Sequence, residues 1–171
     1  MSHQKLIQEL KNNDNVFQTL LAELDSNQIL WKPTPEKWCL LEVVCHLHDE
    51  EIEDFRTRTK QVIENPGLEL KPIDPGGWVL QRNYIGQNYQ DVLSSFLNER
   101  EESINWLLSL TNPNWGNFII HHEVGRMTAE MFLSNWLAHD YLHMRQIIKL
   151  KYDYLASLSS GALNYAGNIW Q

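Results

Sequence analysis

Apolar side chains recur every three or four residues through four long stretches of this sequence, and this spacing constrains the fold more than any other feature. Residues at that spacing lie on one face of an α-helix, so each stretch predicts an amphipathic helix. The predicted helices cover about residues 4–25, 38–64, 89–110 and 126–151. No alternation typical of a β-strand persists in the chain, which predicts an all-α fold. Four amphipathic helices bury their apolar faces against one another in a four-helix bundle.

Proline- and glycine-rich segments separate the predicted helices. Pro33 and Pro35 interrupt the chain before the second helix, and Asn65-Pro66-Gly67 ends that helix. Residues 65–88 then form a long crossover loop, which we expect to lie over the bundle because it carries aromatic side chains such as Trp78. The last 20 residues are expected to form a short helix or to pack irregularly.

Composition, charge and the length of apolar runs limit the class of protein to which the chain can belong. The chain has 171 residues, 43% of them apolar, so we expect residues 1–171 to form a single domain. The formal net charge of −8 would repel a phosphate backbone, which argues against a nucleic-acid partner. No apolar run approaches the roughly 20 residues that span a bilayer, and the N-terminus is polar, so we expect a cytoplasmic protein without a membrane partner. Cys39 and Cys45 are about 9 Å apart along a predicted helix, which is too far for a disulfide.

Two histidines, His139 and His143, lie four residues apart in the fourth predicted helix. On a helical wheel that begins at Thr128 they fall at about 20° and 60°, inside the apolar stripe that contains Phe132 at about 40°. Burying two neutral imidazoles costs several kcal/mol unless each finds a partner, and a shared metal ion would satisfy both. An inward histidine is otherwise a hydrogen-bonded core residue. From the pair alone, both interpretations stay open.

A third metal ligand is expected from the second predicted helix, which carries His46 and His48. On a wheel that begins at Leu40, His48 falls at about 80°, beside the apolar arc, and His46 falls at about 240°, on its flank. The wheel slightly favours His48. A residue on the flank of one helix can still face the groove toward its neighbour, so periodicity leaves the choice open.

Two segments resemble motifs of the DinB/YfiT-like superfamily, and the resemblance spans nearly the whole chain. The segment from Trp38 to Asp49 is similar to the family's second-helix motif, and the segment from His139 to Ile147 is similar to the motif of its last bundle helix. Other residues match the spacing of one DinB-like branch: Trp78, Arg82, Tyr84, Phe96, Arg100, Trp115, His122, Gly125, Thr128 and Trp136.

The resemblance implies an all-α, DinB-like four-helix bundle with a long crossover loop. It also implies a divalent transition metal, zinc or nickel, on His46, His139 and His143, with His46 rather than His48 as the first ligand. The family usually has Ser or Thr at the position of Cys39, and a thiol is a poorer acceptor for capping the helix ahead of His46.

Three protein ligands would leave coordination positions of the metal open. Open positions are typical of catalytic metal sites, so the ligand set predicts an enzyme. By resemblance, some relatives are thiol S-transferases that use low-molecular-weight thiols, and others are metal-dependent hydrolases. We expect a metal-activated thiol or water to attack a small-molecule electrophile. The alternatives are a metal-dependent hydrolase, a non-catalytic metal- or small-ligand-binding bundle related to stress, and a bundle whose histidines only fill the core. We also expect a homodimer.

Further residues are candidates for contacting the ligands or lining the pocket. Glu50, one turn beyond His46, is placed to accept the free ring N–H of His46, although a solvated carboxylate is an equal alternative. Gln146 lies near the apolar stripe of the fourth helix, where it either orients substrate or packs between helices. Three more candidates come from the crossover loop and the connection before the fourth helix: Trp78, Arg82 and His122.

Overall fold

In the computed structural model, which describes residues 1–121 and 124–167, the chain is mostly helical. The helices in chain order are α1 (His3–Leu21), α2 (Ser26–Leu30), α3 (Leu40–Glu50), a π-helical segment (Glu51–Arg56), α4 (Thr57–Glu64), α5 (Pro75–Gln81), a 3₁₀ turn (Tyr84–Gly86), α6 (Tyr89–Ser109), α7 (Ala129–Leu158) and a second 3₁₀ turn (Asn164–Ala166). Two short strands, β1 (Phe118–His121) and β2 (Gly125–Thr128), precede α7. None of the helices in the described ranges is both long and apolar enough to span a bilayer.

Four long helical elements pack side by side and confirm the predicted four-helix bundle. They are α1, α3 with its continuation through α4, α6 and α7; α3 packs on α6, and α1 packs on both α6 and α7. Large side chains that are almost completely buried fill the space between them, including Phe17, Leu40, Phe96 and Trp136. The apolar stripes that predicted the helices are therefore the faces that build the core.

The second predicted helix is interrupted by a wider, π-helical turn. Residues 51–56 have this geometry, and the turn carries Glu51 and Phe55 into the interior, where they are 2% and 8% exposed. Thr57 Oγ1 donates to the carbonyl of Ile52 at 2.6 Å and so satisfies one of the backbone acceptors that the wider turn displaces. Such turns are frequent at functional sites.

The crossover region holds more regular structure than the sequence predicted. The side chain of Asp74 accepts from the backbone N–H of Gly77 at 2.9 Å, and Pro75 occupies the first turn of α5. Trp78 of this helix is 5% exposed and belongs to the main core cluster. The expectation that the segment lies over the bundle is therefore right, although α5 and the following 3₁₀ turn break what was predicted to be a continuous loop.

The prediction that the chain has no strands is wrong in one place. β1 and β2 pair antiparallel, with Phe118 opposite Thr128 and Ile119 opposite Met127. Each strand has four residues, which is too short for an alternating pattern to stand out in a sequence. Ile119 and Met127 are the buried pair, and they pack in a cluster with Val62 of α4. The hairpin thus closes the end of the bundle next to α4 and α7.

Candidate metal centre

Three histidine side chains from two helices converge between α3 and α7. His46 Nε2 lies 3.3 Å from His139 Nε2, which lies 3.0 Å from His143 Nε2. One ring nitrogen from each residue lies within 4.8 Å of the other two. Within the parts of the chain that the structure describes, no other group of three His, Cys, Asp or Glu side chains is spaced to share a metal ion. The structure therefore brings His46, and not His48, to the HxxxH pair.

Two of the three nitrogen–nitrogen distances, 3.3 Å from His46 to His139 and 3.0 Å from His139 to His143, match a tetrahedral transition-metal site. Metal–nitrogen bonds of about 2.0–2.1 Å place two ligand nitrogens about 3.3 Å apart in that geometry. Hydrogen bonding explains the cluster less well, because the single Nε2 proton of a neutral His139 can serve only one of its two neighbours. The donor set thus fits a divalent cation better than it fits a hydrogen-bonded core.

Electrostatics keep the three imidazoles in the form that binds metals. Burial lowers the pKa of His46 to about 4, and the adjacent His143 lowers it further in the same direction. Burial and the two neighbouring histidines lower the pKa of His139 to about 2, and burial lowers that of His143 as well. All three rings are therefore neutral at pH 7 and offer lone pairs to a cation.

Gln146 orients one of these rings. Its side-chain oxygen lies 2.8 Å from His143 Nδ1. Because a carbonyl oxygen can only accept, Nδ1 of His143 carries the proton and Nε2 is left with its lone pair. The sequence left two roles open for Gln146, substrate orientation and helix packing. The contact with His143 is neither of these.

Glu50 does not make the predicted hydrogen bond with His46. His46 Nδ1 has no partner in the described residues, although His46 is only 7% exposed. The Glu50 carboxyl instead hydrogen-bonds Asp54, and burial together with the charge of Asp54 raises the pKa of Glu50 to about 8. Glu50 is therefore protonated at pH 7 and donates to the Asp54 carboxylate, a charge-assisted hydrogen bond, instead of accepting from His46.

The remaining predicted residues lie elsewhere or remain untested. Arg82 lies over the Trp78 ring at 4.2 Å, and its Nη1 is 2.9 Å from Asp49 and 2.6 Å from Glu53. No contact in the described structure joins Arg82 or Trp78 to the three histidines. That these two residues line the pocket beside the metal therefore stays a prediction. His122 lies outside the described residues.

Aromatic rings flank the histidine cluster on two sides. The ring centroid of Trp38 lies 5.0 Å from that of His46, and the ring centroid of Phe55 lies 4.8 Å from that of His139. Trp38 precedes Cys39, the N-cap residue of α3. The backbone N–H of Cys39 donates to Glu42 Oε2 at 2.8 Å, so a glutamate anchors the start of the helix that carries His46.

A buried ionic network next to the cluster was missed from the sequence. Arg100 Nη1 and Nη2 lie 2.7 Å from the two carboxylate oxygens of Asp140, and Nη2 lies 2.9 Å from Glu51. Asn13 donates to Asp140 and Trp136 donates to Glu51, each at 3.0 Å. The network joins α1, the π segment, α6 and α7, and Asp140 directly follows His139. The available signal was charge inside an apolar stripe, because Glu51 lies at helical spacing between Leu47 and Phe55.

Comparisons with known proteins identify a family and a similar fold. No curated protein matches the chain significantly. Among solved structures, YfiT from Bacillus subtilis, described as a probable metal-dependent hydrolase with an unusual four-helix bundle topology, superimposes with a TM-score of 0.78. It is 18% identical over 89% of both chains, and at that identity the likeness shows the fold. A family profile described as the DinB superfamily matches residues 9–147. The chain therefore belongs to the DinB superfamily.

Proposed function

We propose that this chain is a metal-dependent enzyme that holds zinc or nickel on His46, His139 and His143, where a small thiol or a water molecule is activated for attack on a small-molecule electrophile. The proposal is supported by the meeting of three neutral Nε2 atoms without a fourth protein ligand in residues 1–121 and 124–167. Structural sites are filled by four protein ligands, whereas catalytic sites with three keep a position for water or substrate.

The protein's own residues prepare this site. Gln146 holds His143 in the tautomer that presents a bare Nε2. Because His46 and His139 are neutral well below pH 7, no ring proton has to leave before a cation binds. A divalent metal, when bound, supplies Lewis acidity that lowers the pKa of a coordinated thiol or water.

The first candidate reaction is thiol transfer with a thiol that comes from outside the protein. Cys39 and Cys45 are both free and buried, and burial raises the pKa of Cys45 to about 12. Neither residue can supply a thiolate at neutral pH, so the nucleophile is a low-molecular-weight cosubstrate. Its sulfur forms a bond to the electrophilic carbon, the leaving group departs with its bonding electrons, and the thiol proton passes to the leaving group or to water.

Hydrolysis is the second candidate, and the description of YfiT as a probable metal-dependent hydrolase favours it. Water would take the place of the thiol, with its oxygen bonding to the electrophile and its proton passing to the leaving group. The aromatic rings of Trp38 and Phe55 flank the histidines in both cases, which favours an electrophile with an apolar body.

Elemental analysis tests the metal first. Tag-free protein, produced without added metal, is expected to contain about one equivalent of zinc or nickel, and a His139→Ala/His143→Ala variant is expected to contain none. His48→Ala is the matched control, because it removes an imidazole from the same helix as His46 but outside the cluster. An unchanged metal content in the double variant, or no metal in native protein after reconstitution with zinc or nickel, would refute the site.

Activity is tested separately with loaded protein. Cysteine and 1-chloro-2,4-dinitrobenzene probe thiol transfer, and 4-nitrophenyl acetate without thiol probes hydrolysis. Turnover that disappears in the double histidine variant supports an enzyme, and the substrate that turns over distinguishes the two reactions. Stoichiometric metal without turnover of a wide electrophile panel would replace the proposal with a non-catalytic metal-binding bundle.

A further inference from the structure

The three candidate ligands come from two different helices. His139 and His143 are one turn apart on α7, so that helix alone keeps their Nε2 atoms close together, at 3.0 Å. The 3.3 Å between His46 Nε2 and His139 Nε2 depends instead on how α3 lies against α7. Metal ligands bind well only when other groups hold them in place. Contacts between α7 and the helix that carries His46 therefore decide the geometry of the site.

Glu51 makes one such contact directly. It follows α3 at the start of the π turn, five residues after His46, and the turn carries its side chain into the core. Glu51 Oε2 accepts from Trp136 Nε1 at 3.0 Å. Trp136 lies on α7, one turn before His139. The hydrogen bond thus joins the end of the helix that carries one ligand to the turn that precedes another.

A second link runs from Glu51 to α7 through Arg100 of α6. Arg100 Nη2 lies 2.9 Å from the same Glu51 oxygen and 2.7 Å from Asp140 Oδ1. Asp140 is the residue that follows His139. The side chains of Glu51, Arg100 and Asp140 are at most 1% exposed, so water does not compete for these contacts. Glu51 therefore holds α7 on both sides of His139.

Stability alone does not account for a glutamate at this position. Arg100 and Asp140 already form a bidentate, charge-balanced pair without it. A further buried carboxyl group costs free energy, and burial raises the pKa of Glu51 although Arg100 acts in the opposite direction. The contacts with Trp136 and Arg100 need only an oxygen that accepts hydrogen bonds, whether it is charged or neutral.

We propose that Glu51 is a positioning residue for the metal centre, which sets the distance between His46 and His139 by holding α7 at these two points. This inference rests on the proposed metal site. Glu51 is not itself a ligand, since it is not among the side chains spaced to share a cation within residues 1–121 and 124–167. Loss of a group that orients metal ligands typically weakens metal affinity by about 10–100-fold.

Cobalt(II) binding to the full-length, metal-free protein tests the proposal, because the visible absorption of cobalt reports both affinity and coordination geometry. Glu51→Met is expected to weaken cobalt affinity at least about tenfold and to change the visible spectrum, since nothing then holds His46 at a fixed distance from His139. Glu51→Gln is expected to keep the native spectrum and an affinity within about twofold, because its amide oxygen accepts the same two hydrogen bonds. A residue with only a structural role would lower Tm without changing the cobalt spectrum.

Glu53→Met is the matched control. Glu53 lies in the same π turn, but its side chain is 44% exposed and contacts Arg82 on the outside of the bundle. Its affinity and spectrum are expected to be native. Circular dichroism of each metal-free variant checks that the chain is folded during the titration. If Glu51→Met does not fold, Trp136→Phe removes only the direct link to Glu51 and is expected to weaken cobalt binding about fivefold, because the link through Arg100 remains.

Three results would overturn the inference. A native affinity and spectrum in folded Glu51→Met, or in Trp136→Phe, would show that the metal site does not depend on these contacts. Losses of equal size in Glu51→Gln and Glu51→Met would show that the charge of Glu51, and not its position, matters to the cation. Native protein that binds no cobalt would refute the metal site itself, and this inference with it, whereas the first two results leave the metal site standing.

Discussion

Replacing Arg100 with methionine removes the only cation that the described structure places against Asp140 and Glu51. The Arg100 side chain is 1% exposed, and the side chains of Asp140 and Glu51 are 0% and 1% exposed. Methionine keeps much of the aliphatic length of arginine but leaves both carboxyl groups without their charged partner. We expect a large loss of stability from this single change.

The size of the loss follows from burial and from the number of bonds broken. Two hydrogen bonds of 2.7 Å to Asp140 and one ion-pair contact of 2.9 Å to Glu51 disappear together. Removing one partner of a buried ion pair costs about 3–5 kcal/mol, because the remaining charge stays desolvated. For a protein of this size each kcal/mol lowers Tm by about 2–4 °C, so Tm is expected to fall by about 6–20 °C.

Urea unfolding of the metal-free protein at pH 7, followed by circular dichroism, measures the effect. Lys149→Met is the matched control, because Lys149 pairs with Asp153 on the surface of α7 and 46% of the Lys149 side chain is exposed. This substitution is expected to lower the free energy of unfolding by less than about 1 kcal/mol. The double variant Arg100→Met/Asp140→Asn should recover part of the stability. A loss below about 1 kcal/mol in Arg100→Met would refute the reasoning, and no recovery in the double variant would attribute the loss to packing.

Three further predictions concern single groups. Folded Glu50 holds its proton up to about pH 8, whereas unfolded Glu50 ionises near pH 4.5, so its contribution to stability is lost as pH rises through this window. Between pH 5 and pH 8, urea unfolding should show the native protein losing at least about 1 kcal/mol relative to Glu50→Gln, a comparison in which the buried histidines cancel; equal pH dependence of the two proteins would contradict this. A thiol reagent should label Cys39 and Cys45 slowly in native protein and rapidly in urea, because both are buried; rapid native labelling would contradict this. Gln146→Leu should weaken metal affinity about tenfold by freeing the His143 ring, measured by competition with a chelating dye, and an unchanged affinity would contradict the role of the hydrogen bond.

The fold could be predicted where apolar burial decides the structure. α6 was expected over about residues 89–110 and spans Tyr89–Ser109, because its apolar stripe marks its limits. α7 was expected to end near Lys151 and continues to Leu158. Its last turns carry exposed apolar residues such as Leu155, so no buried stripe marked them.

The site was harder to predict because its parts meet only through tertiary packing. The wheel placed His139 and His143 together, since both lie on one helix, but could not choose between His46 and His48, which depends on how α3 faces α7. The pairing of Arg100 with Asp140 joins residues 40 positions apart, which no local pattern encodes. The homodimer and the cytoplasmic location stay predictions.

The π turn divides one continuous helical rod, which runs from α3 to α4, into two halves with different packing partners. Before the turn, the rod packs mainly on α6 and supplies His46; after it, the rod packs on α7 and on strand β1. The extra backbone width lets the second half take its own rotation about the axis. Substitutions beyond residue 56 can therefore reshape the end of the bundle that the hairpin closes while His46 keeps its position.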